Sequence, residues 1–130
     1  MPLTRRLVCL SALGSGSALA QLPAPVMCTM SASVVALKVV DARGQPVDGA
    51  QVVLRRLSTG QTVPTAAWMG SQGDYKLLED ADLPDLRAAG EDFEVRLSKD
   101  GRSRVLTLRI GMDAQGCHIT VLKGERRVVL

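Results

Sequence analysis

The sequence predicts an all-β fold, a sandwich of six or seven short strands with one short helix, and three observations carry the expectation. Apolar residues recur at every second position through six separate stretches. Clusters of Gly, Pro and Asp divide those stretches at regular intervals, as turns do. Two cysteines, Cys28 and Cys117, stand near opposite ends of the sandwich region and can bridge them.

Residues 1–20 read as a secretory signal peptide rather than as part of the fold. Arg5 and Arg6 supply the positive start, an apolar run follows from Leu7 to about Leu19, and Ala18 and Ala20 place small residues at the cleavage site. Gly14, Ser15, Gly16 and Ser17 interrupt the run, which is too short for the ~20 apolar residues of a membrane span. The mature chain is therefore expected to have no span and to be exported, to the periplasm or outside the cell. Arg5-Arg6 also leaves a twin-arginine route open. Neither Cys9 nor Cys28 has the small preceding residues that a lipid-anchor cysteine needs.

Removing twenty of the 130 residues leaves 110, one domain by length, enough to bury about 60 to 65% of its unfolded surface. Residues 21–31 are small and proline-bearing, an extended lead-in. Val35, Leu37 and Val39 mark the first strand within Ala32–Asp41, and Asp41-Ala42-Arg43-Gly44-Gln45-Pro46 ends it. Ala50, Val52 and Leu54 mark the second, with the expectation that it pairs antiparallel with the first. Ser58–Gln61 is a turn, and the stretch to Ser71 has no firm period.

Tyr75 and Leu77 put a short strand over Gly73–Leu78. Asp80–Gly90 reads as one or two helical turns, with early acids and Pro84, a late Arg87, a Gly90 stop, and Leu83 and Leu86 facing inward. Phe93, Val95 and Leu97 form the inner face of the next strand, and Asp100-Gly101 is a hairpin turn into one marked by Leu106, Leu108 and Ile110. The last strand runs from Cys117 through Ile119 and Val121, all in one phase. The sandwich thus spans 32–123, and 124–130 is a tail.

Charge excludes one class of partner. The chain holds 16 basic and 13 acidic residues, and loss of Arg5 and Arg6 leaves 14 against 13. Signs are interleaved with no basic block longer than two, so no nucleic-acid surface is indicated. Paired in an oxidising compartment, Cys28 and Cys117 would close a loop of nearly ninety residues and stabilise the fold by about 4 to 5 kcal/mol on the chain-entropy account.

The run Val39-Val40-Asp41-Ala42-Arg43-Gly44-Gln45-Pro46-Val47-Asp48-Gly49-Ala50-Gln51-Val52-Val53-Leu54, followed by Gly73-Asp74-Tyr75, resembles the carboxypeptidase regulatory-like domains of the transthyretin-like superfamily. The resemblance covers most of Val34–Leu122 and implies a seven-stranded Greek-key sandwich. Asp41, Gly44, Pro46, Val47, Gly49, Ala50 and Val52 carry it as a fold motif: glycine and proline shape a turn while Val47, Ala50 and Val52 pack a core. Such domains are mostly accessory modules that bind sugars or proteins, so function arrives here by analogy. The enzymes on this fold need several histidines, or two Tyr with two His; this chain has one of each.

Individual candidates point the same way. His118 and Cys117 are adjacent on a strand and should face opposite sides, so they would not share one ion, and His118 reads as a surface histidine. Met27-Cys28-Thr29-Met30 is a soft-ligand cluster of the sort that selects Cu(I), unless Cys28 is oxidised. Glu79–Asp85 is acidic but lacks the Gly and distal Glu of a calcium loop, and reads as a helix start. Ser71, Ser98 and Ser103 have no neighbouring base. Trp68 and Met69, with Tyr75, are the binding candidates, although Trp68 reads as a core anchor first. The expectation is a non-enzymatic module without cofactor or resident metal that binds a protein or carbohydrate. A small-ligand or copper carrier built on Met30, Met69 and His118 is the alternative.

Overall fold

A computed structural model describes residues 27–65 and 72–130. The expected leader, most of the lead-in, and Trp68, Met69 and Ser71 lie outside the described residues. Eight strands occur among those described: β1 (Val34–Val40), β2 (Gln51–Arg56), β3 (Thr62–Val63), β4 (Asp74–Glu79), β5 (Glu91–Lys99), β6 (Arg102–Met112), β7 (Ile119–Lys123) and β8 (Arg127–Val129). They form two sheets, a three-stranded one ordered β4-β1-β8 and a five-stranded one ordered β3-β2-β5-β6-β7. The protein is all-β, as its alternation predicts.

The period-two faces meet between the sheets. Val35, Leu37 and Val39 of β1 are fully buried, as are Leu54 of β2, Phe93 and Val95 of β5, and Leu108 and Ile110 of β6. Each such side chain contributes about 1.5–3 kcal/mol by leaving water. The expected β5–β6 hairpin forms, paired from Glu91↔Ile110 to Lys99↔Arg102. Asp100 and Gly101 both take positive φ, 49° and 77°, the backbone that a two-residue turn between twisted strands requires.

One pairing expectation is corrected. β1 and β2 are not hydrogen-bonded neighbours; β1 pairs with β4 and β8, and β2 with β3 and β5. After β1 the chain turns back only briefly, with Val47 N–H donating to the Val39 carbonyl at 3.0 Å. It then crosses to the other sheet through Gly49 at φ 74°. The inward faces of β1 and β2 are both apolar, and placing them in opposite layers buries Leu54 against the same core as Val35, Leu37 and Val39.

Three further features differ from the alternation. Leu77 and Leu78 are both buried because the β1–β4 register slips between Val35 and Ala36, a bulge that turns two consecutive β4 side chains inward. The helix is a single 3-10 element, Asp80–Asp85, and stops well before Gly90. Pro84 lies inside it and lacks an amide proton, and the closing bond is the three-residue step from Leu86 N–H to the Leu83 carbonyl, 3.0 Å. Residues 124–130, expected to be a tail, supply β8, which runs parallel to β1 with Val39↔Val128 and buries Val128. Three residues preceded by Glu125 and Arg126 are too few to show a period.

Candidate functional site

The described end of the lead-in is fastened to the loop before β7. Cys28 and Cys117 form a disulfide with Cα atoms 5.3 Å apart across 89 residues of sequence. Such a bond belongs to an oxidising environment. Cys117 was expected on the inner face of the last strand, in phase with Ile119. It sits instead in the loop before β7, half-buried. Asp113 organises that loop: its carboxylate accepts the Cys117 N–H at 2.9 Å, its N–H donates to the His118 carbonyl at 2.8 Å, and Gly116 turns at φ 69°. The same backbone donor, from Cys117, is the main reason the Asp113 carboxyl is held below its ordinary range.

His118 is not a free surface histidine. Its Nδ1 lies 2.7 Å from Asp80 Oδ2 and its Nε2 lies 2.8 Å from Thr29 Oγ1. Asp80 opens the 3-10 helix directly after β4, and both its oxygens are occupied: Oδ1 accepts the Ile119 N–H at 2.7 Å, and Oδ2 also accepts the Ser33 N–H at 2.8 Å. The hydrogen bond from His118, followed by these two amides, lowers the Asp80 carboxyl to about 2. An ionised carboxylate only accepts hydrogen bonds, so Nδ1 carries the ring proton facing Asp80. In the neutral imidazole Nε2 is then the acceptor, and the Thr29 hydroxyl donates to it.

The result is a hydroxyl–imidazole–carboxylate chain, with Thr29 and His118 each one residue from the disulfide. Sequence reasoning missed it. Thr29 stands 89 positions from His118, and no local pattern links either to Asp80. The one available signal was that both cysteines have a polar neighbour on the same side, Cys28-Thr29 and Cys117-His118.

The fold-motif residues form a corner. Asp41 Oδ1 accepts the Arg43 and Gln45 N–H groups at 2.8 and 2.9 Å, Gly44 turns at φ 77°, and Pro46 bridges to Val40. Val47 and Val52 pack against the core. Tyr75, expected to bind a ligand, is committed here: its hydroxyl donates to the Val47 carbonyl at 2.6 Å and accepts the Ala50 N–H at 3.0 Å. Tyr75 therefore holds the crossing from β1 to β2.

Beside this corner is a cleft of about 300 Å³. It is lined by Asp41, Pro46 and Val47 of the corner, by Lys99, Asp100 and Arg102 at the β5–β6 turn, and by Leu130. Lys99 Nζ donates to the Asp48 carbonyl, tying the turn to the corner. The acidic stretch contributes no comparable site: Asp80 is engaged as above, Asp82 accepts the Glu79 N–H at 2.8 Å, and among the described residues no three His, Cys, Asp or Glu groups are placed to hold a metal ion.

No protein-family model, curated protein or solved structure matches this chain.

Proposed function

We propose that this chain is an exported accessory module of the carboxypeptidase regulatory-like kind, on a transthyretin-like Greek-key sandwich, that binds a protein or carbohydrate and turns over no substrate. The cleft between the β1–β2 corner and the β5–β6 turn carries the reading. It offers apolar surface at Pro46 and Val47, and both cations and carboxylates to the polar groups of a ligand. The leader and the disulfide favour the exported location. In this reading β7 and β8 are two parts of one seventh strand that passes from one sheet to the other at Gly124, φ 110°.

The test compares the mature chain with a Lys99→Glu/Arg102→Glu variant on an array of polysaccharides and in capture from the exported fraction. A glycan or protein held by the first and lost by the second supports the module. Binding unaffected by the double change, or no binding at all, removes the cleft from the function. A second reading, a copper carrier, is favoured by the full exposure of the Met27 and Met30 thioethers, 90% and 104%. It loses the Cys28 thiolate to the disulfide, and His118 Nε2 is engaged by Thr29. A Cu(I) titration that detects no binding tighter than millimolar rejects it.

A further inference from the structure

The chain Thr29–His118–Asp80 has the connectivity that activates a hydroxyl for attack. The hydroxyl lies 2.8 Å from an imidazole nitrogen, within the reach of a general base, and the far ring nitrogen lies 2.7 Å from a carboxylate. Two backbone amides, from Ser33 and Ile119, hold that carboxylate in place, which fixes the ring tautomer and leaves Nε2 toward Thr29. The nucleophile and base come from segments 89 residues apart, and the covalent bridge that joins them links the residues immediately before each.

We propose that Thr29 is an acyl-acceptor nucleophile, with His118 as its general base and Asp80 as the residue that positions the imidazole, reacting with activated oxygen esters that carry apolar acyl chains. Thr29 is exposed, so an ester reaches it without entering a cavity, and its near neighbours in sequence, Met27 and Met30, are exposed apolar residues available to an acyl chain. In the step, the Thr29 oxygen forms a bond to the carbonyl carbon and its proton passes to His118 Nε2. The bond from that carbon to the leaving alkoxide breaks, and His118 returns the proton to the departing oxygen. The product is one ester on Thr29 and one free alcohol, with no change of oxidation state. This is a single acyl transfer onto the protein, separate from the cleft and from the binding reading.

The test incubates the purified, disulfide-intact chain with p-nitrophenyl butyrate and follows nitrophenol release and intact mass, with peptide mapping of the adduct. The expected result is one butyryl group on Thr29, absent in Thr29→Val, retained in Thr29→Ser, and formed at least about 100-fold more slowly in His118→Gln. Circular dichroism reports whether each variant is folded. Should His118→Gln unfold, the contrast between Thr29→Val and Thr29→Ser still locates the nucleophile. Acylation confined to lysines or the amino terminus, or a Thr29 adduct that forms at an unchanged rate in folded His118→Gln, overturns the proposal.

Discussion

The Tyr75 hydroxyl donates to the carbonyl of Val47 at 2.6 Å, and this bond joins strand β4 to the point where the chain leaves one sheet for the other. The same oxygen accepts the Ala50 N–H, so one side chain satisfies two backbone groups of a segment that has left its own ladder. Replacing Tyr75 with Phe keeps the ring and orphans both groups. The expected cost is about 1–3 kcal/mol, read as a lower melting temperature in circular dichroism without loss of the β spectrum. An unchanged melting temperature would show that water replaces the hydroxyl fully.

Gly73 and Gly60 make a matched pair. Both hold φ near 75°, but a Cβ on Gly73 would come within 2.3 Å of the Val39 carbonyl oxygen, whereas a Cβ on Gly60 meets nothing within 4 Å. Gly60→Ala is expected to cost about 1–2 kcal/mol, from backbone conformation alone. Gly73→Ala adds a backbone collision and is expected to cost at least about 2 kcal/mol more, or to prevent folding. Chemical denaturation of the two variants side by side gives the difference.

Glu91, the first residue of β5, is a buried charged residue, 5% exposed. It is paired with Arg56, approached by Arg87 Nε at 3.6 Å, and Arg56 in turn lies 5.5 Å from the Phe93 ring centre. Glu91→Ala removes the carboxylate from Arg56, which keeps only the Asp85 carbonyl at 2.9 Å, and is expected to cost about 3–5 kcal/mol in urea unfolding. The double change Glu91→Leu/Arg56→Met, which removes both charges and keeps volume, is expected to recover most of that loss.

Asp80 ties stability to acid. Its folded carboxyl titrates at about 2, below the ordinary 3.8, because His118, Ile119 and Ser33 donate to the ionised form. A depressed folded value means that the carboxylate stabilises the fold fully above the unfolded value and that this stabilisation is lost as pH falls from about 4 toward 2. Asp80→Asn should therefore be less stable than the parent at neutral pH, with a shallower decline across that window. Equal slopes in pH-dependent melting would mean that other carboxylates, Asp113 and Glu94 among them, govern the acid limb.

Reduction of Cys28–Cys117 releases a constraint on 89 residues. The expected loss is about 4–5 kcal/mol, seen as a lower urea midpoint for the reduced chain and for Cys28→Ser/Cys117→Ser alike. A matching midpoint for the oxidised and reduced chains would show that the lead-in contributes nothing to global stability.

Strand identity was legible in the sequence because burial of one sheet face imposes a period of two, and that period survives in Val35-Leu37-Val39, in Phe93-Val95-Leu97 and in Leu108-Ile110. The turn at Asp100-Gly101 and the corner around Gly44 and Pro46 were legible for a similar reason: few residue types tolerate their backbone angles. Partnership was not. Period two states which side chains face inward but not which strand lies alongside, so only the folded chain placed β1 and β2 in opposite sheets, brought β8 beside β1, and slipped the register at Leu77. The Thr29–His118–Asp80 chain belongs to the same class of fact, since three side chains from a lead-in, a helix start and a loop meet through long-range closure that no local pattern records.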